Sequence, residues 1–198
     1  MPPLQTPVIL ASGSPRRRTL MLDAGYDFTV ITADVTEPKM IGDNIPASIW
    51  AETMAYYKAR AVFEKHSESI VIGADTVSVH GKHVLGKPKD EDDARFMLTE
   101  MFGGCNAVIT GVAILAPSPA PLIVTHVTSS LVMKPMSTTQ IEAYIASGAW
   151  QDKAGGYALQ EGGDRFVDHI DGSHSNIVGL PMEQLAILLK QINEQLQG

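Results

Sequence analysis

Val8-Ile9-Leu10-Ala11-Ser12-Gly13-Ser14-Pro15-Arg16-Arg17-Arg18 is the stretch that decides the fold. Val8 to Ala11 is a continuous apolar run with β-branched members, which predicts a short buried strand. Ser12-Gly13-Ser14 is a tight turn without a bulky side chain. Ser14 suits an N-cap and Pro15 the first helical position, so a helix is predicted to start there. Three arginines then fill the first turn, where the helix dipole is positive and disfavours cations. Arg17 stands where a capping box would place an acid. The arrangement makes sense if a polyanion occupies the helix start, held by backbone N–H groups, hydroxyls and guanidinium forks. The competing reading is a solvated arginine cluster. The strand, the small-residue turn and the proline favour a phosphate site at Ser12, Gly13, Ser14, Arg16 and Arg17.

The rest of the composition restricts what such a site can serve. A net charge of -7 argues against nonspecific binding to nucleic acid or anionic lipid, which needs a broad positive field. The one cysteine, Cys105, excludes an intrachain disulfide and fits a reducing cytosol. It lies between a glycine pair and a strand and is expected to be buried and inert. The N-terminus shows no signal-peptide pattern, and no apolar run approaches a membrane span. A cytoplasmic protein is expected, folded as one domain over residues 1–198.

Downstream, Leu20, Leu22 and Ala24 are read as the buried side of a short helix stopped by Gly25. Phe28–Thr32 is a strand candidate. Ala33–Pro46 is aperiodic and carries the carboxylates Asp34, Glu37 and Asp43. A helix over 47–66 places Ile49, Ala55, Ala59, Val62 and Phe63 near helical spacing and includes Lys58. Ile70–Val79 is the strongest strand, and its interior holds Asp75, which is costly to bury ionised without a partner or metal. His80–His83 turns into a return strand that leads to Gly86-Lys87-Pro88. A helix over 90–101 turns Ala94, Met97, Leu98 and Met101 inward. Two long strands, 106–115 and 122–133, follow and are read as an antiparallel pair. A helix runs from Ser137 to Ser147, and a glycine-rich segment spans Asp152–Gln160. The chain closes with a strand at Phe166–Ile170 and a helix after Pro181. This order predicts an α/β fold with a mixed, partly antiparallel sheet flanked by helices.

Outside the first motif, Lys58, Lys87 and Lys153 stand against Glu37, Asp75 and Asp152. A cationic cradle with a few carboxylates is what a magnesium–polyphosphate site needs, since that metal prefers one or two carboxylates plus phosphate oxygens. The six histidines show no metal-ligand spacing, and Trp50 and Trp150 are read as packing residues.

Six ordered segments also resemble the Maf nucleotide pyrophosphatases. They are Ser12-Gly13-Ser14-Pro15-Arg16-Arg17, Gly73-Ala74-Asp75-Thr76-Val77, Gly86-Lys87-Pro88, Thr110-Gly111-Val112, Asp152-Lys153-Ala154-Gly155 and Asn176-Ile177-Val178-Gly179-Leu180-Pro181. The resemblance runs from about Val8 to Leu189. It implies an elongated α/β fold of the Maf and ITPase kind and metal-dependent hydrolysis of nucleoside triphosphates to monophosphate and pyrophosphate. It assigns roles to Ser14, Arg17, Glu37, Lys58, Asp75, Lys87 and Gln160, with Asp75 as proton acceptor. Arg16, Thr76 and Gln160 match the branch acting on dTTP and UTP rather than the one acting on 7-methyl-GTP. Three positions depart from the pattern: Asn106 replaces a common His, Ala158 a usual Gly, and the arginine expected near Thr53 is missing.

Magnesium, with manganese as the alternative, would sit on Glu37 and Asp75 and lower the pKa of the attacking water. Asp75 could instead take the proton directly, and the sequence does not separate the two. Arg17, Lys58 and Lys87 would stabilise charge moving to the leaving pyrophosphate. The alternative functions are a nucleotide-sensing or regulatory binding protein with little turnover and a pyrophosphatase of the 7-methyl-GTP type. A nucleoside triphosphate is the expected partner and nucleic acid and membrane are not, with a homodimer left open.

Overall fold

A computed structural model describes residues 4–36, 45–151, 153–157 and 164–198. Glu37, Asp43, Asp152, Ala158 and Gln160 lie outside the described residues. The elements in chain order are β1 (Val8–Leu10), α1 (Pro15–Asp23), β2 (Thr29–Val30), α2 (Ala47–Phe63), β3 (Ile70–His80), β4 (His83–Leu85) and α3 (Glu91–Met101). They continue with β5 (Cys105–Leu115), β6 (Ile123–Met133), α4 (Thr138–Ala146), β7 (Val167–Asp171), α5 (His174–Val178) and α6 (Met182–Gln197).

The sheet order is β2-β1-β3-β5-β6-β7, with β4 paired to β3. β1 is parallel to β2 and β3, while β4 is antiparallel to β3 and β7 to β6. The predicted mixed α/β class is therefore the observed one, and the two long strands read as a pair are sheet neighbours. The chain divides into two compact units: residues 1–75, 110–127 and 179–198, and residues 76–109 and 128–178.

In the first unit, strand alternation sorts side chains onto two faces. Val8, Leu10, Ile70, Ile72, Ala74, Val112 and Ile114 join Met21 of α1 and Leu185, Leu188, Leu189 and Ile192 of α6 in one cluster. The alternate residues Ile9, Ala11, Val71, Ala113 and Leu115 pack with Ala55, Ala59 and Val62 of α2 in the other. Helices thus cover both faces, as parallel strands require. The α2 face is unusually close. A Cβ on Gly73 would lie 2.8 Å from the Ala59 nitrogen, and one on Gly111 would lie 2.5 Å from the Glu52 nitrogen. Ala51, Ala55 and Ala59, spaced by four, give α2 a stripe of small residues on that side, and all are fully buried.

In the second unit, α3 turns Ala94, Met97, Leu98 and Met101 inward as predicted. Phe102 meets Tyr157 and Phe166 edge-on, with ring centroids 5.6 and 5.5 Å away. Ser137 caps α4 through a reciprocal capping box with Gln140. Arg95 of α3 grips both oxygens of Glu142 on α4, at 2.6 and 3.0 Å.

Several local expectations fail. In α1 the buried residue is Met21, while Leu22 is 53% exposed and Ala24 is also exposed. A nine-residue helix has too few turns for periodicity to fix its phase. Ile49 of α2 is exposed rather than inward, because the alanine stripe is the face that meets the sheet. Cys105 is exposed rather than buried, at the very start of β5. The helix α5 has no counterpart in the sequence reading.

Candidate active site

The first turn of α1 is held together by one hydroxyl. Ser14 occupies the N-cap position, but its side chain makes no capping bond. Instead the Ser12 hydroxyl, 6% exposed, accepts from the Ser14 backbone N–H at 3.3 Å. It also accepts from Arg17 Nη1 at 3.0 Å. Arg17 Nε donates to the Gly179 carbonyl at 2.7 Å. A side chain in the first turn is thereby turned back over the turn itself. Arg16 is half-buried and Arg18 exposed. A Cβ on Gly13 would lie 3.3 Å from Thr32 Oγ1, a tight contact that a small movement of that side chain would relieve.

Asp75 is positioned by β3. It shares a strand face with Val71 and Gly73, the face covered by α2. Where Gly73 lets the helix backbone approach, Lys58 extends from the turn that carries Ala55 and Ala59. Its Nζ donates to Asp75 Oδ1 at 2.7 Å, and the two side chains are 14% and 15% exposed. The carboxylate, half-buried, has the partner that burial was expected to demand, supplied by close helix–strand packing.

Strand register sets this pair level with the arginine turn that follows β1, although β3 itself runs on to His80. Leu10 is level with Ile72, and the Ala11 N–H continues the ladder to the Ile72 carbonyl at 2.8 Å. Gly13, in the turn after β1, and Asp75, in the interior of β3, each lie three residues beyond that level. The carboxyl ends of parallel strands are where open α/β sheets bind ligands. A guanidinium held by the Ser12 hydroxyl and the Gly179 carbonyl, with an ammonium and a carboxylate at the same level, can bind a polyanion and accept a proton.

The other predicted residues belong to the second unit. Thr76 follows Asp75 directly and is half-buried. Lys87 is exposed in a turn that the glycine-rich segment braces, through the Gly155 N–H donating to the Gly86 carbonyl at 2.9 Å. Lys153 is buried, with Nζ donating to the Gln151 carbonyl at 3.3 Å. Asn106 is buried and structural. Its Nδ2 donates to the Met101 carbonyl at 2.9 Å, which leaves Oδ1 to accept from His80 Nδ1 at 2.8 Å. Asn176 ties α5 down, with Nδ2 donating to the Val108 carbonyl and to Ser129 Oγ, each at 3.0 Å. Glu37 and Gln160, named by the sequence reading, lie outside the described residues. Gly179 was read only as part of a motif. Its contact with Arg17 spans 162 positions, and the only sequence signal was a lone glycine between buried apolar residues.

This geometry defines an α/β protein with an anchored cationic turn at the carboxyl end of β1 and, level with it on β3, a carboxylate paired to a lysine. The sequence model of the Maf-like protein family matches residues 7–192, and the chain belongs to that family. It is similar to a dTTP/UTP pyrophosphatase of Desulforamulus reducens, 38% identical over 96% of this chain and 98% of the relative. A dTTP/UTP pyrophosphatase of Ruminiclostridium cellulolyticum is 39% identical over 96% and 97%. One from Bacillus cereus is 40% identical over 94% and 95%. Among solved structures, a HAM1 protein from Coxiella burnetii aligns over 94% of this chain and 100% of that one, with a TM-score of 0.48 and 14% identity. No helix among the described residues is long and apolar enough to cross a membrane.

Proposed function

We propose that this protein hydrolyses dTTP and UTP at the α–β phosphoanhydride, giving the nucleoside monophosphate and pyrophosphate, with a divalent cation, magnesium, as cofactor. The observation that carries the reading is the register that sets Arg17's turn, which follows β1, level with the Lys58–Asp75 pair on the neighbouring strand β3. Relatives at about 40% identity bearing the name dTTP/UTP pyrophosphatase support it.

In this reading water attacks the α-phosphorus and the bond to the bridging oxygen of pyrophosphate breaks. Asp75 receives the proton lost by the water, and Lys58, bonded to Oδ1, holds the carboxylate in orientation. Arg17 and Lys58 supply positive charge for the oxygens on which negative charge builds. Lys87 and Glu37 join them on the strength of the family resemblance. The residues fit magnesium. Lys58 takes only Oδ1 of Asp75, so Oδ2 would be available to hold a hard cation, with Glu37 a further ligand on the strength of the family resemblance. When bound, the metal would neutralise phosphate charge and acidify the water. An acidic chain with one cysteine suits the cytoplasm.

The test is pyrophosphate release from dTTP, UTP, CTP and 7-methyl-GTP, each with magnesium and with a chelator. The expected result is metal-dependent turnover of dTTP and UTP above the other two. Binding without turnover of any of the four would favour the nucleotide-sensing alternative and sink the proposal.

A further inference from the structure

We infer that Gly179 is a positioning residue for the phosphate site: its carbonyl, carried by backbone that only glycine adopts without strain, sets the plane of the Arg17 guanidinium. The inference rests on the reading of Arg17 as a triphosphate contact. Gly179 stands between α5 and α6 with φ 124. That region is nearly closed to L side chains. On its C-terminal side Leu180 is fully buried in the core that α6 completes, and the Leu185 N–H donates to the Pro181 carbonyl at 2.9 Å. The backbone that carries the carbonyl is therefore held from the core side.

Arg17 receives this carbonyl through Nε at 2.7 Å and the Ser12 hydroxyl through Nη1 at 3.0 Å. One contact would let the guanidinium rotate about its bond, whereas two through different nitrogens fix its plane. The planar fork gains its advantage over a lysine ammonium only when it is oriented. Gly179 thus acts through Arg17, and its effect should follow the phosphates and not the base.

The experiment measures binding of tripolyphosphate, dTTP and UTP by calorimetry, with kcat and KM for dTTP, in wild type, Gly179→Ala, Arg17→Lys and the double variant. Gly179→Ala should weaken all three ligands by about the same factor, roughly tenfold, with binding stoichiometry kept near one. A merely structural defect would instead lower stoichiometry and kcat while leaving Kd and KM unmoved. In the Arg17→Lys background, which has no Nε donor, Gly179→Ala should change Kd less than twofold. Should Gly179→Ala fail to fold, Arg17→Lys alone decides: it keeps the charge but loses the anchored plane, so wild-type Kd in that variant overturns the inference. Unchanged Kd in Gly179→Ala, or equal effects in both backgrounds, overturns it too. A wild-type protein that binds none of the three ligands would refute the parent reading and this one with it.

Discussion

Asp75→Asn tests chemistry and packing at once, and the Lys58 contact allows the two to be separated. The substitution keeps the shape of a side chain that is 15% exposed but removes the negative charge facing Lys58 Nζ at 2.7 Å. Breaking a fully buried pair costs about 3–5 kcal/mol. Here some solvent reaches both partners and the amide oxygen can still accept, so about 2 kcal/mol is the expected loss. In a chain of this length that lowers Tm by roughly 4–8 °C. Turnover should fall further than stability, by at least about 10²-fold, or about 2.7 kcal/mol of barrier. Lys58→Met should destabilise by a similar amount, because it leaves a mostly buried carboxylate without its cation. The double variant Asp75→Asn/Lys58→Met removes both charges, so its Tm should recover well above the sum of the single losses. Its turnover should not recover. Thermal melts followed by circular dichroism give Tm, and pyrophosphate release from dTTP at 25 °C gives turnover. If Asp75→Asn keeps activity within a few-fold of wild type, or if the double variant regains it, Asp75 serves the pair and not the reaction.

Three further perturbations test other parts of the molecule. Gly73→Ala would put a Cβ 2.8 Å from the Ala59 nitrogen and against the Ala55 carbonyl, backbone atoms that cannot rotate away. A loss of about 1–3 kcal/mol is expected, and an unchanged Tm would contradict the close packing of α2. Gln160→Glu should lower kcat/KM for dTTP and UTP more than for 7-methyl-GTP, since an amide can offer a donor and an acceptor to the pyrimidine edge while an acid suits a cationic base. Equal losses on all three nucleotides would remove Gln160 from base selection. The Arg95 guanidinium holds the Glu142 carboxyl below its usual range. A lowered folded pKa means that the contribution is present above the unfolded value and is lost as pH falls through the folded one. Glu142→Gln should therefore flatten the decline of Tm between about pH 5 and pH 3, modestly because the site is exposed; identical acid limbs would show that the pair contributes nothing.

The sequence by itself determined what depends on neighbours along the chain. The Ser137 cap with Gln140, the inward face of α3, the turn at Ser12-Gly13-Ser14 and the long strands β3, β5 and β6 are set by period and by local hydrogen-bonding preference. Six ordered motifs carried the family. Tertiary structure decided what depends on residues far apart. Nothing local indicates that Ala51, Ala55 and Ala59 face Gly73 and Gly111, since small residues leave no strong hydrophobic period. Yet that approach is what brings Lys58 to Asp75, 17 positions away. In α1 the choice between Met21 and Leu22 was made by the core that α6 completes, because both are apolar and the helix is short. The Arg17 contact with Gly179 required the chain to return after 162 positions with a carbonyl fixed by a positive φ. Backbone angles of that kind are imposed by the packing on either side, which is why a sequence shows the glycine but not the bond it makes.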